Sequence, residues 1–257
     1  KNLLILGGGV IGCEFACMAA ALGTKVTVVE MLEDIVIVLD RDVRRVLRKR
    51  MEALGITILT GAPLTNIAVK KDKVTGTYKD QTVEGDVLLV AVGRRPNTAA
   101  LDLARAGVNV DERGTIPVDA QGRTNVASIF AVGDLVTGSI QLAHAATQQG
   151  VAAAEAAAGL TSKVEKVCPS CIFTSPEIGL AGLTEAKAQQ LGIAVKTAVF
   201  PFSALGKAMA AGETDGFVKW VCDPVTGQAL GAQAVGCHAT ELISEAALAI
   251  RNELTRD

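Results

Sequence analysis

The sequence predicts an α/β protein with a parallel sheet in its first part and a separate α+β segment in its last part. Short apolar runs alternate with helical segments through the first 93 residues, and this alternation is typical of a parallel sheet covered by helices. Hydrophobic residues make up 49% of the chain but aromatic residues only 3%. The core is therefore predicted to consist of small and β-branched side chains in buried strands.

The predicted elements support this fold class in order along the chain. The first part is predicted to contain strands at 3–6, 25–30 and 56–59, helices at 11–22 and 42–54, an antiparallel hairpin of 66–69 with 74–78, and a strand at 87–92. Gly23 and Gly55 follow the two helices, where the backbone that ends a helix favours glycine. A strand at 128–132 and an Ala-rich helix at 141–158 come next. The last part is predicted to contain strands at 178–183, 195–200, 216–222 and 229–235, and helices at 184–191 and from 239 onward.

Two changes of pattern divide the chain. Pro96 lies in a loop of residues 93–97, where it cannot continue the preceding strand and favours an extended residue before it. From residue 167 onward, short strands outnumber helices. We therefore predict three domains, at 1–93, 94–165 and 166–257.

Charge and hydropathy exclude several classes of partner. The 25 Lys and Arg residues are balanced by 27 Asp and Glu residues, and a formal net charge of −2 is too near neutral to drive nonspecific binding to nucleic acid or to anionic lipid. Apolar runs such as 87–92 fall well short of the roughly 20 residues that a membrane span needs. Six cysteines are too few for a disulfide scaffold of this length, and no secretory signal precedes them. We therefore predict a cytoplasmic protein.

The glycines after the first strand fit a dinucleotide-binding motif. Gly7, Gly9 and Gly12 match G-x-G-x-x-G between an apolar strand and a helix, as a Rossmann-like fold requires. Gly7 permits a tight turn, Gly9 lets the backbone approach a pyrophosphate, and Gly12 lets helix and strand pack closely. Val10 and Ile11 contribute N–H groups at the positive end of the helix. We predict that these five residues bind a dinucleotide cofactor.

Glu30 is the candidate that selects the nucleotide. It ends the second strand, 18 positions beyond Gly12. A carboxylate there accepts hydrogen bonds from the adenosine ribose hydroxyls and repels a 2′-phosphate, and the next residues, Met31 and Leu32, provide no arginine for such a phosphate. The sequence therefore predicts NAD rather than NADP. The alternative is a solvated glutamate at a strand end.

Six segments resemble those of a known family, in the same order. They are GGGVIGCEFA, KVTVVE, VLLVAVGRRPNT, TNVASIFAVGDL, QLAHAATQQG and PSCIFTSPEIGLAGLTE. Through them the chain resembles the pyridine nucleotide-disulfide oxidoreductases, and among these the dihydrolipoamide dehydrogenase branch, over essentially its whole length. The resemblance implies a Rossmann-like NAD-binding domain, a central domain that forms part of an FAD site, and a C-terminal α+β domain that forms a homodimer.

The resemblance also implies flavin contacts in the central domain. By this resemblance, Gly133 permits close approach of the backbone, and the Asp134 carboxylate accepts a hydrogen bond from a ribityl hydroxyl of FAD. Leu142, Ala143 and His144 open the long helix, and the N–H groups there stabilise negative charge on the reduced flavin. This contact is mainly through the backbone, so His144 is not expected to be a catalytic base. The alternative for the first pair is a simple Gly-Asp turn after a buried strand.

Three further residues are candidates. Glu14 is predicted in the first turn of the first helix, where the helix dipole favours a carboxylate. The resemblance implies that Glu14 pairs with a lysine near the flavin from a domain outside this sequence, which makes it the catalytic-site candidate of this chain. It also implies that Gly93 and Arg94 lie at the mouth of the nicotinamide site.

The cysteines suggest other chemistry that the rest of the sequence does not support. Cys168 and Cys171 form a C-x-x-C pair, a spacing used by dithiol redox centres and zinc sites. No second C-x-x-C or histidine pair completes a metal site, so we predict no metal. Cys13 and Cys17 are interpreted as small buried residues on one helix face. The resemblance implies a redox disulfide of C-x-x-x-x-C spacing upstream of this sequence, and His238 is predicted to be a surface or capping residue.

The reaction implied by the resemblance passes electrons from a dithiol, through an enzyme disulfide and FAD, to NAD⁺. The disulfide and a catalytic histidine are expected in segments outside this sequence. We therefore expect the 257-residue chain to be a fragment that binds NAD without turnover. Two alternatives stay open: a mercuric reductase or soluble transhydrogenase of the same family, or a non-catalytic NAD-binding or dimerisation module. The implied partners are a second copy of the chain and lipoyl-bearing subunits of a 2-oxo acid dehydrogenase complex.

Overall fold

A computed structural model describes residues 1–162, 164–165 and 167–256. The chain groups into two compact units. The first unit combines Lys1–Gly93 with Pro169–Asp257, and the second is Arg94–Cys168. The first unit is therefore built from two separate stretches of sequence, with the second unit inserted between them. The division into three domains stays a prediction.

The first 93 residues form a parallel sheet with helices and a small antiparallel sheet. Their elements are β1 (Asn2–Leu6), α1 (Val10–Ala21), β2 (Lys25–Glu30), α2 (Arg41–Ala53), β3 (Thr57–Thr60), β4 (Leu64–Lys70), β5 (Lys73–Tyr78), β6 (Gln81–Gly85) and β7 (Val87–Val90). The parallel strands lie in the order β3-β2-β1-β7. Since β1 and β2 are parallel neighbours, Gly7 after β1 lies beside the end of β2, and its N–H donates to the Val29 carbonyl at 2.9 Å. The predicted parallel α/β sheet is confirmed.

The two helices pack on this sheet in different ways. The buried face of α1 consists of small residues, Gly12, Cys13, Ala16 and Cys17, so the helix can lie close to the strands. In α2, buried Val43, Leu47 and Met51 recur every four residues, and charged residues occupy most of the other positions. The basic residues of α2 lie largely on its exposed side, with Arg44 as a buried exception.

The antiparallel part is larger than predicted. A two-stranded hairpin was expected, but β4, β5 and β6 form a three-stranded sheet. Tyr78 pairs with Gln81 across a two-residue turn in which Lys79 has a φ of 51°. Such turns usually contain Asn or Gly. The Lys-Asp turn and the polar sequence of β6 therefore gave no strand signal.

The second unit contains little regular structure. Its long helix, α3 (Ala143–Ala157), lies within the predicted helix, and a 3₁₀ turn covers Gly133–Leu135. Val108, Ile116, Ala131 and Val136 form its small core. The predicted strand at 128–132 is wrong. Only Phe130 forms a bridge there, with Arg123. Only Ala131 of this run is buried, and its N–H donates to the Gly122 carbonyl at 2.9 Å.

The last stretch of the chain belongs to the first unit and forms an antiparallel sheet. Its elements are β8 (Ser170–Ile172), β9 (Glu177–Gly182), α4 (Glu185–Gln190), β10 (Lys196–Pro201), α5 (Gly206–Ala211), β11 (Phe217–Cys222), β12 (Ala229–Gly236) and α6 (Ala239–Arg251). The strand order is β10-β11-β12-β9-β8, and α6 packs on β9 and β12. The α+β prediction is confirmed, although β8 and α5 were not predicted.

The core of the first unit draws on both stretches of sequence. Ile172, Ile178, Phe217 and Val235 from the last stretch belong to the same buried cluster as residues of α1, β2 and α2. The two stretches therefore share one hydrophobic core. Among the described residues, no helix is both long enough and apolar enough to span a membrane.

Candidate cofactor-binding site

The turn after β1 requires glycine at two positions and leaves a third open. Gly7 has a φ of +108°, and a Cβ there would lie 2.4 Å from the Ala91 carbonyl oxygen. A Cβ on Gly12 would lie 1.9 Å from the Gly7 carbonyl oxygen. In contrast, no described atom lies within 4 Å of a Cβ built on Gly9. Gly7 and Gly12 thus allow the turn and the helix to pack, whereas Gly9 faces a space that a side chain would fill.

The start of α1 provides hydrogen-bond donors at this open space. Gly9 is the N-cap residue of α1, and no side chain caps the helix there. Val10 and Ile11 follow as the first two helical residues, and the N–H groups of a first turn have no partner within the helix. An uncapped helix N-terminus beside an open glycine fits the pyrophosphate of a dinucleotide.

Glu30 is fixed beside the same turn. One oxygen of its carboxylate accepts the Gly8 N–H at 2.6 Å, and the other accepts the Leu32 N–H at 2.8 Å. The side chain is buried, and it ends β2 next to the glycine turn. A carboxylate has about four acceptor positions, so these two bonds leave capacity for ribose hydroxyls. The structure thus brings Gly7, Gly9, Gly12 and Glu30 together at one edge of the parallel sheet.

Glu14 lies elsewhere on α1 than the sequence suggested. Because α1 begins at Val10, Glu14 is its fifth residue and is not in the first turn, so the predicted contact with the helix dipole is wrong. Its carboxylate accepts the Phe173 N–H at 2.9 Å. Glu14 therefore links α1 to the residue that follows β8, within the first unit. The pairing of Glu14 with a flavin-side lysine stays a prediction.

The second unit holds the other group of candidates. Gly133 has a φ of +81° in the 3₁₀ turn that carries Asp134. The Arg94 guanidinium lies 3.9 Å from the Asp134 carboxylate, and both side chains are largely exposed. Leu142 is the N-cap residue of α3, which begins with Ala143 and His144. Gly93 ends the first of the two stretches that form the first unit, and Arg94 is the first residue of the second unit.

A cavity of about 780 Å³ lies beside Asp134 in the second unit. Its polar lining includes Arg94, Arg95, Asp134, Thr137, Ser139 and Gln141. This volume lies in the range of cofactor sites, and the lining offers both donors and acceptors. The residues therefore fit the polar part of FAD, whose ribityl chain carries several hydroxyls.

Sequence reasoning missed two side-chain contacts, one in each unit. In the second unit, Gln149 of α3 accepts the Gly133 N–H at 2.6 Å. In the first unit, Lys219 of β11 is fully buried and its ammonium group lies 2.7 Å from Asp40 and 2.9 Å from Asp42. The only sequence signal for the Lys219 contact was a lysine within the apolar strand sequence FVKWVC. Gln149 gave no signal, since glutamine is ordinary in a helix.

The buried ion pair keeps both groups charged. Burial alone would raise the pKa of Asp40, but hydrogen bonds from Lys219 and from the N–H groups of Ala186 and Glu185 hold it below its ordinary value. Burial alone would lower the pKa of Lys219, but its bonds to Asp40 and Asp42 hold it above its ordinary value. The pair is therefore a fixed, charged contact between α2 and the last sheet.

The cysteines have the properties of packing residues. Burial raises the pKa of the Cys13 and Cys17 thiols on α1. Burial also raises the pKa of Cys168 and Cys171. A raised pKa lowers the fraction of reactive thiolate at neutral pH. No cluster of potential metal ligands occurs among the described residues.

Comparison with family models matches almost the whole chain. Residues 1–150 match the pyridine nucleotide-disulphide oxidoreductase model. Residues 168–257 match the pyridine nucleotide-disulphide oxidoreductase dimerisation domain model. The two matches thus cover both stretches of the first unit.

Named relatives agree with the family models. The chain is 46% identical to a dihydrolipoyl dehydrogenase of Chlamydia pneumoniae, covering 99% of this chain and 55% of the relative. It is 40% identical to a dihydrolipoyl dehydrogenase of Geobacillus stearothermophilus, covering 100% of this chain and 56% of the relative. The chain thus spans little more than half the length of these relatives.

Solved structures give the same result. LpdA from Mycobacterium tuberculosis superimposes with a TM-score of 0.91 at 31% identity, covering 99% of this chain and 56% of that one. The HOCl-induced flavoprotein disulfide reductase RclA from Escherichia coli gives a TM-score of 0.89 at 30% identity, with 99% of this chain and 59% of that one covered. Together with the glycine turn and the family models, these likenesses show that the chain belongs to the pyridine nucleotide-disulphide oxidoreductase family.

Proposed function

We propose that this chain is the NAD-binding and dimerisation part of a dihydrolipoyl dehydrogenase-like flavoprotein. The proposed reaction oxidises a dithiol to a disulfide and reduces NAD⁺ to NADH, with release of one proton. The observation that carries the proposal is Glu30, held by the Gly8 N–H beside the open space at Gly9. The names of the relatives favour dihydrolipoyl dehydrogenase over mercuric reductase or transhydrogenase.

The first unit is proposed to bind NAD. The backbone at Gly9, Val10 and Ile11 donates hydrogen bonds to the pyrophosphate, and the space at Gly9 admits it. Glu30 accepts hydrogen bonds from the adenosine ribose, and its negative charge disfavours a 2′-phosphate. Gly93 is proposed to leave room for the nicotinamide end.

The second unit is proposed to bind part of FAD. When bound, FAD supplies the electron transfer between the dithiol–disulfide couple and NAD⁺. Asp134 accepts a hydrogen bond from a ribityl hydroxyl, and Arg94 partly offsets the charge of Asp134. The N-terminus of α3, at Leu142, Ala143 and His144, directs its positive end at negative charge on the ring. Glu14 is proposed to pair with a lysine outside this sequence.

The proposed assembly is a homodimer formed through residues 168–257, which match the dimerisation domain model. We also propose lipoyl-bearing subunits of a 2-oxo acid dehydrogenase complex as partners and a cytoplasmic location. The cysteine content supports the location. Sedimentation of the full-length gene product would give twice the subunit mass if the proposed dimer forms.

The test is turnover by the full-length gene product. We expect a flavin absorbance spectrum and reduction of NAD⁺ that depends on dihydrolipoamide. Mercury-dependent NADPH oxidation, or hydride exchange between NADH and NADP⁺, without dihydrolipoamide activity would instead support the alternative flavoproteins. Binding of NADH without any bound flavin would support a non-catalytic module and overturn the proposal.

A further inference from the structure

The side chain of Gln149 ties the long helix of the second unit to the turn that carries Asp134. Its Oε1 accepts the Gly133 N–H at 2.6 Å, and its Nε2 donates to the Ser139 Oγ at 2.8 Å. One amide group therefore makes both bonds. The first anchors the turn at Asp134, and the second anchors Ser139, shortly before α3 begins.

These two bonds fix a loop between two candidate flavin contacts. The loop runs from Gly133 to Leu142, and Asp134 and the N-terminus of α3 lie near its two ends. Within it, the Val136 N–H donates to the Gly133 carbonyl, and the Ser139 N–H donates to the Val136 carbonyl, both at 3.1 Å. These bonds are internal to the loop. The backbone of Ile116 holds the middle of the loop, through bonds to the Leu135 carbonyl and the Thr137 N–H. The side chain of Gln149 bonds Gly133 and Ser139 to the body of α3, about two turns from the start of the helix.

We propose that Gln149 is a positioning residue for the flavin-binding segment. It holds the Asp134 carboxylate at a fixed distance from the N-terminus of α3, so that both contacts are in place before the cofactor binds. The inference rests on the proposed binding of FAD by this unit. A group held in advance loses less conformational freedom on binding, and preorganisation of this kind increases affinity.

The chemistry of the two bonds dictates which substitutions remove them. Leucine has a similar size but can form neither bond, and it leaves the Gly133 N–H without its acceptor. Glutamate still accepts the Gly133 N–H, and the Ser139 hydroxyl can turn to donate to its second oxygen. We therefore expect Gln149→Leu to release Gly133 and Ser139 from α3 and Gln149→Glu to retain both attachments.

The adjacent residue is a matched control. Gln148 lies on the same helix and is also partly buried, and its side chain makes no hydrogen bond to a described residue. Gln148→Leu therefore makes the same chemical change in α3 without touching the loop. An effect of Gln149→Leu that Gln148→Leu lacks cannot come from helix propensity.

The experiment measures FAD affinity in the full-length protein by reconstituting the flavin-free protein and following flavin fluorescence. We expect Gln149→Leu to raise the FAD dissociation constant about tenfold, because it leaves the Gly133 N–H unsatisfied and detaches the turn at Asp134 from α3. Gln149→Glu and Gln148→Leu are expected to stay within about threefold of the wild type. Hydrogen exchange is expected to accelerate at the Gly133 amide in Gln149→Leu alone.

A double-mutant cycle separates positioning from general stability. If Gln149 acts through Asp134, Gln149→Leu will cost much less affinity in an Asp134→Ala background than in the wild type. Should Gln149→Leu fail to fold, Ser139→Ala removes only the second bond, and we then expect a smaller loss of affinity. Additive effects in the cycle, or unchanged FAD affinity in Gln149→Leu, would overturn the inference. Failure of the wild type to bind FAD would instead overturn the proposed function.

Discussion

The ammonium nitrogen of Lys219 lies 2.7 Å from a carboxylate oxygen of Asp40, in a site where neither side chain is exposed beyond 5%. Asp40 precedes α2 but does not cap that helix with its side chain. Its carboxylate instead accepts the N–H groups of Glu185 and Ala186 at the start of α4, at 3.0 and 2.9 Å. One buried carboxylate thus joins the first stretch of the first unit to both a helix and a strand of the last stretch.

Removing Lys219 is expected to destabilise the first unit strongly. Lys219→Met leaves Asp40 buried and without its cation, and breaking one side of a buried ion pair costs about 3–5 kcal/mol. Urea unfolding checks this. The control is Lys73→Met, because Lys73 pairs with Glu84 on the surface at 2.7 Å and exposed pairs contribute little. Equal urea midpoints for the two variants would refute the role given to Lys219.

Acid sensitivity is expected to depend on Asp40. Because the pKa of Asp40 is lower in the folded protein than its ordinary value of 3.8, its contribution to stability is present above that value and is lost as the pH falls through the folded value. Asp40→Asn should therefore lower the unfolding free energy at pH 7 and flatten its decline below about pH 5. The exposed Asp72→Asn is the control, and a profile identical to that of Asp40→Asn would contradict the prediction.

Alanine substitutions at Gly9 and Gly12 are expected to have different effects, the first on NADH binding and the second on stability. The Cβ of Gly9→Ala enters open space, so the fold should survive while NADH binding weakens sharply. Gly12→Ala places a Cβ against the Gly7 carbonyl oxygen, so the melting temperature should fall. Calorimetry and NADH titration of both variants check this. Gly206→Ala is the control, since a Cβ there also meets open space. Tight NADH binding by Gly9→Ala would show that the pyrophosphate lies elsewhere.

Glu30 is expected to set the preference for NADH over NADPH. Glu30→Gln removes the charge that repels a 2′-phosphate and weakens the acceptor for the ribose. We expect NADH affinity to fall about tenfold, in line with a charged hydrogen bond, and the preference over NADPH to narrow. The neighbouring Glu33→Gln is the control, because Glu33 is exposed in the same loop. An unchanged ratio of the two dissociation constants in Glu30→Gln would remove Glu30 from this role.

Local patterns predicted the fold well where the sequence follows the periodicity of a single helix, strand or turn. The alternation in KVTVVE predicted β2 with its observed bounds, and the glycine spacing predicted the turn before α1. The same reasoning failed at 128–132, where an apolar run packs against turns. Strand propensity describes the run itself and does not reveal which neighbour receives its hydrogen bonds.

In the candidate site, too, the sequence predicted the local features and missed the long-range contacts. Residues of the glycine turn act through the backbone within a few positions, so their spacing carried the signal. Lys219 and Gln149 act on residues distant in sequence, Asp40 and Gly133, and no local pattern links those partners. Long-range contacts of this kind depend on how the whole chain folds, which only the structure shows.

The discontinuous first unit has a consequence for protein synthesis. Ile172, Ile178, Phe217 and Val235 complete the core around β2 and α2, but the ribosome makes them after the whole second unit. At about 5–20 residues per second, Gly93 is added roughly 4–15 seconds before Pro169 is. During that interval their apolar surfaces lack their final partners, and the inserted unit can fold first. Translation speed across 94–168 therefore sets how long the apolar surfaces of nascent residues 1–93 remain accessible to chaperones.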